Sequence, residues 1–310
     1  MQNLVGIIGL GAMGGGMARS LARGGHGIGV YDVRPAAVQE LSNEGATGFG
    51  NPRELGAACG IVFVVVVNAK QAEQVLFGDD GAVQGMRPGS VVVLCSTVPP
   101  DYATALGERL ASRDIMLLDA PISGGAAKAA SGELTVMAAG APAAFERCEP
   151  VLKAVAQKVY RLGDAPGAGS TVKMINQLLA GVHIAAAAEA MALGIKVGAD
   201  PKVLYEVISN SAGSSWMFQN RVPHILAGDY APRSAVTIFV KDLGIVLEAG
   251  KESHMPLPLT AAAHQMYLMA CAAGHGREDD AAVIKIFPGV ELPSASPDGP
   301  AAKGSKVGPG

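Results

Sequence analysis

The sequence predicts an α/β protein, a doubly wound parallel sheet followed by an all-α domain. Three observations carry this. Apolar runs alternate with helix-compatible stretches through the first half; a glycine-rich turn, GLGAMG at 9–14, joins the first run to the first helix; and strand-like runs cease beyond Arg161. The runs fall at 4–8, 27–31, 61–67, 91–94, 115–119, 134–139 and 158–161. Several are unbroken Val/Ile/Leu blocks, the pattern of parallel strands covered on both faces, and segments such as 100–112 and 143–151 carry helical spacing between them. A sheet of this kind places its ligand crevice beyond the carboxyl ends of the strands.

The segment Gly163–Gly169, GDAPGAG, marks a boundary. Beyond it, 171–197 reads as one long helix, apolar on nearly every face, which has to be buried among other helices. Pro201, Pro223, Pro232, Pro256 and Pro258 then punctuate shorter helices at 201–209, 237–253 and 259–273. The expected domains are residues 1–162, residues 163–292, and a Pro/Gly/Ser-rich tail at 293–310 that cannot build a core and is expected to be disordered.

Composition narrows the function classes. With 24 basic against 27 acidic residues and no basic block, no nucleic-acid partner is expected. Cys59, Cys95, Cys148 and Cys271 form no CxxC pair, which predicts reduced core thiols. No metal-ligand spacing occurs among the histidines. The run 61–67 is too short to span a bilayer, and 178–195, though long enough, carries His183 and Glu189 and is rich in alanine and glycine, so no membrane partner is expected. No basic segment precedes the first strand, which together with the thiols predicts a cytoplasmic protein.

The glycine turn is where chemistry enters. Strand, turn and helix in that order suit a dinucleotide: Gly9 permits the tight turn, Gly11 lets backbone approach a pyrophosphate, and Gly14 lets helix and strand pack, with Ala12 and Met13 between them. The second run ends in Asp32, where a carboxylate would accept hydrogen bonds from the adenosine ribose and repel a 2′-phosphate, favouring NAD. This is the Rossmann arrangement, and NAD is the expected cofactor. Asp32 also suits a plain strand-end turn, and neighbouring Arg34 leaves NADP open.

Three further stretches carry candidate chemistry. In DAPISGG, at 119–125, Ser123 and the backbone of Gly124 and Gly125 could hold a carboxylate, or form an ordinary strand-to-helix turn. In GSTVKMINQ, at 169–177, Lys173, Asn176 and Gln177 share one helix face. Lys173 faces either solvent or a polar ligand, where it could exchange a proton with a hydroxyl. In FVKDLG, at 239–244, Lys241 and Asp242 are either an exposed pair or a contact to the open side of the cofactor.

Together these stretches resemble the β-hydroxyacid dehydrogenase family across residues 2–290, in the family's order. The resemblance implies that Lys173 is the catalytic general acid/base, that Ser123, Gly124 and Gly125 bind the substrate carboxylate, and that Asn176 orients the substrate. Gln177 stands where the family usually has a second Asn, so an amide is kept. Lys241 and Thr97, the latter in CSTVP after a strand, match cofactor-proximal positions. The implied reaction transfers hydride from a small hydroxy acid, bound between the domains, to NAD. Ser211–Leu226 resembles the family branch that oxidises a four-carbon sugar acid at C2, with the 3-hydroxyisobutyrate, tartronate semialdehyde and succinic semialdehyde/glyoxylate enzymes as alternatives; some relatives keep the fold as a binding module without the lysine. The long apolar helix needs more cover than a small helical domain supplies, which predicts a homodimer or homotetramer.

Overall fold

A computed structural model of the protein describes residues 4–293. The apolar runs become β1 (Leu4–Ile8), β2 (Ile28–Tyr31), β4 (Cys59–Val64), β5 (Val91–Leu94) and β6 (Met116–Asp119), with a short β3 (Thr47–Gly48) that sequence periodicity does not mark. They form a parallel sheet in the order β3-β2-β1-β4-β5-β6. Alternate side chains leave opposite faces. Ile7, Val30, Phe63, Val91 and Val93 pack with Met17 and Leu21 of the helix Ala12–Arg23 and Phe145 and Leu152 of the helix Pro142–Val155. Ile8, Val62, Val64, Val92 and Leu94 pack on the other side with Leu55, Leu76, Leu106 and Leu110. Burial on both faces is why these runs are continuous rather than alternating, each large side chain contributing about 1.5–3 kcal/mol.

The later runs do not extend this sheet. β7 (Ile122–Ser123) pairs antiparallel with β8 (Leu134–Ala138), and β8 pairs parallel with β9 (Ala156–Arg161), in a separate three-stranded sheet. The chain turns at Ala120-Pro121, and Asp119 bonds Ala139 in both directions (N–H to carbonyl 2.9 and 2.8 Å), so the returning strand meets the end of β6 instead of lying alongside it.

From Gln177 onward the regular elements among the described residues are helices, Pro201–Ser209, Trp216–Ala227, Val236–Glu252, Pro258–Ala272 and a short 3-10 stretch, Asp280–Ile286, joined by loops. Their core includes Met191, Phe218, Phe239, Leu243, Tyr267 and Val283. Gly181 makes this packing possible, since a Cβ there would lie 2.8–2.9 Å from Leu243 and Phe239, and its carbonyl accepts the Tyr267 hydroxyl at 2.9 Å. Pro223 does not punctuate a helix as expected; it lies inside Trp216–Ala227. Ser215 caps that helix through Phe218 N–H, and buried Phe218, Val222 and Ile225 secure its inner face, which outweighs the one backbone bond a proline removes.

The long helix runs Ala168–Lys196, and the chain divides into two compact units within it, between Asn176 and Gln177. By length and composition it is apolar enough to cross a membrane, and half of its most apolar window is buried within the chain. Val172, Ile175, Leu179 and Leu193 stay exposed. Of the expected tail only Pro293 is described; 294–310 lie outside the described residues.

Candidate functional site

The strand order reverses beside β1, and the glycine turn leaves the carboxyl end of that strand, at the switch point of the sheet. Gly9 has φ +95°, and a Cβ there would lie 2.5 Å from the Val65 carbonyl oxygen. A Cβ on Gly14 would lie 1.8 Å from the Gly9 carbonyl. Both glycines are demanded by the protein's own backbone. Gly11 is different: a Cβ would meet nothing within 4 Å. The fold itself does not require glycine there, and a side chain would stand over the turn in the path of anything approaching the backbone. Gly11 and Ala12 are exposed, and the helix that starts there has no side-chain cap and no acid in its first turn. Its first N–H groups and positive dipole end suit a pyrophosphate. These residues fit a dinucleotide.

Asp32 follows β2 and is tied to this turn. Its Oδ2 accepts Leu10 N–H at 2.6 Å, and its Oδ1 accepts the Arg34 backbone N–H at 2.8 Å and the guanidinium Nε at 3.0 Å. Partial burial pushes the carboxyl pKa up, but the Arg34 side chain and the two backbone donors outweigh it and hold the group below the usual carboxylate range. A hollow of about 260 Å³ opens over the turn, lined by Leu10, Gly11, Ala12, Gly15, Gly16 and Arg34 among others. Met13 is half-buried behind it. Half-buried Thr97 follows β5, where its neighbour Ser96 accepts Val66 N–H at 3.1 Å and so joins the ends of β4 and β5.

Ser123 ends β7, a short strand rather than the open turn its sequence suggests, and is half-buried. Gly124 and Gly125 have φ +136° and +75°, conformations that L side chains rarely adopt, and Gly125 is exposed with open space where a Cβ would be.

Lys173 is 7% exposed, which removes the reading of a solvated first turn. Sequence reasoning passed over what holds its helix. The side chain of Asp119, fully buried at the end of β6, accepts Gly167 N–H and Ser170 N–H on Oδ2, both at 2.9 Å, and the Ser170 hydroxyl on Oδ1 at 2.6 Å. Burial drives this carboxyl above its ordinary pKa, and the donors from Ser170, Gly167 and Gly169 offset only part of that rise. The available signal was a lone acid closing an apolar run just before the Ser-Gly-Gly loop.

Asn176 is half-buried one turn beyond Lys173, and Gln177 is buried. The Gln177 amide donates to Asp242 Oδ2 at 2.5 Å, and Lys241 Nζ lies 2.6 Å from Asp242 Oδ1. Asp242 is 2% exposed, so Lys241 and Asp242 are not the exposed pair that their sequence allows. Sequence reasoning named these three residues without joining them.

Residues 4–163 match the NAD binding domain of 6-phosphogluconate dehydrogenase, and residues 167–287 match the NAD-binding region of NADP-dependent 3-hydroxyisobutyrate dehydrogenase. The chain is 60% identical over 293 residues to an L-threonate dehydrogenase from Cupriavidus necator, covering 94% of this chain and 99% of that protein. It is 52% identical to an L-threonate dehydrogenase from Escherichia coli K12, covering 94% of this chain and 97% of that protein. A crystal structure of a 3-hydroxyisobutyrate dehydrogenase from Salmonella typhimurium superposes with a TM-score of 0.87 at 53% identity, covering 92% and 99% of the two chains.

Proposed function

We propose, since this chain belongs to the 3-hydroxyisobutyrate dehydrogenase-like family of NAD-binding hydroxyacid dehydrogenases, that it oxidises L-threonate to 2-dehydro-L-erythronate. The carrying observation is the 60% identity, over nearly the whole of both chains, to an L-threonate dehydrogenase. NAD, when bound, supplies the hydride acceptor. The protein's own residues then have separate tasks.

Gly11, Ala12 and Met13 receive the pyrophosphate on the open helix start, Gly9 and Gly14 shape the turn that presents it, with the Gly9 N–H held by the Tyr31 carbonyl, and Asp32 accepts the ribose hydroxyls. An ionised Asp32 beside a 2′-phosphate is repulsive, which makes NAD the preferred form. Thr97 and Lys241 are the other cofactor-binding positions. Ser123 and the backbone N–H groups of Gly124 and Gly125 hold the substrate carboxylate. Asn176 orients the substrate, and Gln177 presents the amide that Asp242 orients.

Lys173 accepts the proton of the substrate hydroxyl as that carbon becomes a carbonyl, and in the reverse direction its ammonium protonates the forming alkoxide. A buried amine serves this better than an exposed one, because water no longer screens its charge from the forming alkoxide. The exposed Val172, Ile175, Leu179 and Leu193 of the long helix support a homodimer or homotetramer, in which residues 163–292 serve substrate binding and subunit contact. The free thiols of Cys59, Cys95, Cys148 and Cys271 support a cytoplasmic location.

A second reading, 3-hydroxyisobutyrate as substrate, is favoured by the Salmonella protein. A screen of C3–C5 hydroxy acids with NAD⁺, followed by nicotinamide absorbance, separates the two. L-Threonate is expected to give the highest kcat/KM, and a higher value with 3-hydroxyisobutyrate would overturn the assignment.

A further inference from the structure

We infer that Asp119 is a positioning residue for catalysis: its buried carboxylate clamps the start of the Lys173 helix to the strand end that feeds the Ser123 loop, and so sets the separation of Lys173 from Ser123. The inference rests on the roles given above to those two residues.

Asp119 has no freedom of its own. Its backbone exchanges two hydrogen bonds with Ala139, and the next residue, Ala120, donates to Leu94 at 2.9 Å, so the end of β6 is held from both sides. From this fixed point the carboxylate takes three donors of the helix start, two backbone N–H groups and the hydroxyl of Ser170, which is 1% exposed. The helix start also sits hard against the strand ends, with no room to move inward. A Cβ on Gly169 would lie 2.5 Å from the Met137 carbonyl and 2.6 Å from that of Asp119, so the backbones are already pressed together. Lys173 follows Ser170 by about one helical turn, and Ser123 follows Asp119 within the same short crossing, so one side chain references both groups. A buried carboxylate is tolerated only where donors replace its water, and charge-assisted bonds of this kind are short and directional. Removing it leaves the helix start unanchored at the atoms where a displacement of roughly 1 Å costs about a hundredfold in rate.

The test is a double-mutant cycle in the full-length enzyme. Asp119→Ala is expected to lower kcat about a hundredfold. NAD⁺ affinity, measured by titration of intrinsic fluorescence, should be unchanged because the glycine turn sits on β1. In a Lys173→Ala background, Asp119→Ala should then produce no further loss, since the two residues act as one unit. Multiplicative losses would overturn the inference, because a general structural role damages the enzyme whether or not the lysine is present. Asp119→Asn keeps an oxygen for the two N–H donors while its amide can donate to Ser170 Oγ, so it should recover kcat to within about tenfold of the parent. An asparagine variant as slow as the alanine one would also overturn it. Should Asp119→Ala fail to fold, Ser170→Ala removes only the 2.6 Å bond and should lower kcat roughly five- to tenfold, again only when Lys173 is present. Near-normal turnover by Lys173→Ala alone would be a different failure, removing the catalytic reading beneath the inference.

Discussion

Asp119 and Asp242 are both buried carboxylates, 0% and 2% exposed, and each holds residues of the long helix, yet they grip different things. Asp119 takes two backbone N–H groups and one short hydroxyl. Asp242 takes two long side chains, the amide of Gln177 and the ammonium of Lys241. A joint made to backbone has the same geometry whatever side chains surround it, so it suits the part of the site that must not vary between substrates. A joint made to side chains changes with their length. Gln177, where the resemblance leads one to expect an asparagine one methylene shorter, reaches Asp242 at 2.5 Å, and a change in its length changes this joint.

The sharpest test of this contrast is Lys173→Ala. Loss of a general acid/base is worth about 10²–10⁴-fold, so kcat should fall by that factor while NAD⁺ affinity is kept, as read by steady-state kinetics and a binding titration.

The glycine turn offers the next largest effect and repeats the contrast within six residues. Gly14→Ala drives a Cβ against the Gly9 carbonyl and should cost about 1–3 kcal/mol in denaturant unfolding. Gly11→Ala, with open space around it, should leave the unfolding midpoint nearly unchanged and weaken NAD⁺ alone.

Gln177→Asn then probes the adjustable joint. The shorter amide loses its bond to Asp242, costing about 1 kcal/mol of stability and changing the ranking of hydroxy acids by kcat/KM; retention of the parental ranking would count against a role for this residue in substrate choice.

The smallest effect is the contribution of Asp32 to stability. Its folded pKa lies below the unfolded value of about 3.9, so the folded state binds that proton more weakly. The stabilisation is full above the unfolded pKa and disappears as pH falls through the folded one. The stability difference between the parent and Asp32→Asn should therefore hold constant from pH 7 to about pH 5 and shrink below about pH 4 in urea titrations.

Much of this protein is legible locally. The unbroken Val/Ile/Leu runs mark the central strands because burial on both faces leaves no room for polar alternation, and GLGAMG marks the crevice because Gly9 and Gly14 meet backbone within a few residues. Asp32 is visible as an acid closing the second apolar run, whereas the lysine and the amides are marked by spacing only as one helix face and take their roles from the family resemblance. The separate sheet of β7, β8 and β9 is not visible, since whether a returning strand lies beside β6 or crosses its end depends on the Asp119–Ala139 pairing. Pro223 reads as a helix stop until the burial of Phe218, Val222 and Ile225 is known.

By itself, then, the sequence determined the class of fold and the cofactor turn, which follow from interactions between near neighbours in the chain, and it named the candidate catalytic groups through the family resemblance. The tertiary structure alone decided that Lys173 is shielded from water, that Asp119 anchors its helix, and that Gln177 and Lys241 share one carboxylate. Those facts join residues up to 65 positions apart, and a hydrogen bond over that separation exists only once packing has brought its donor and acceptor within 3 Å.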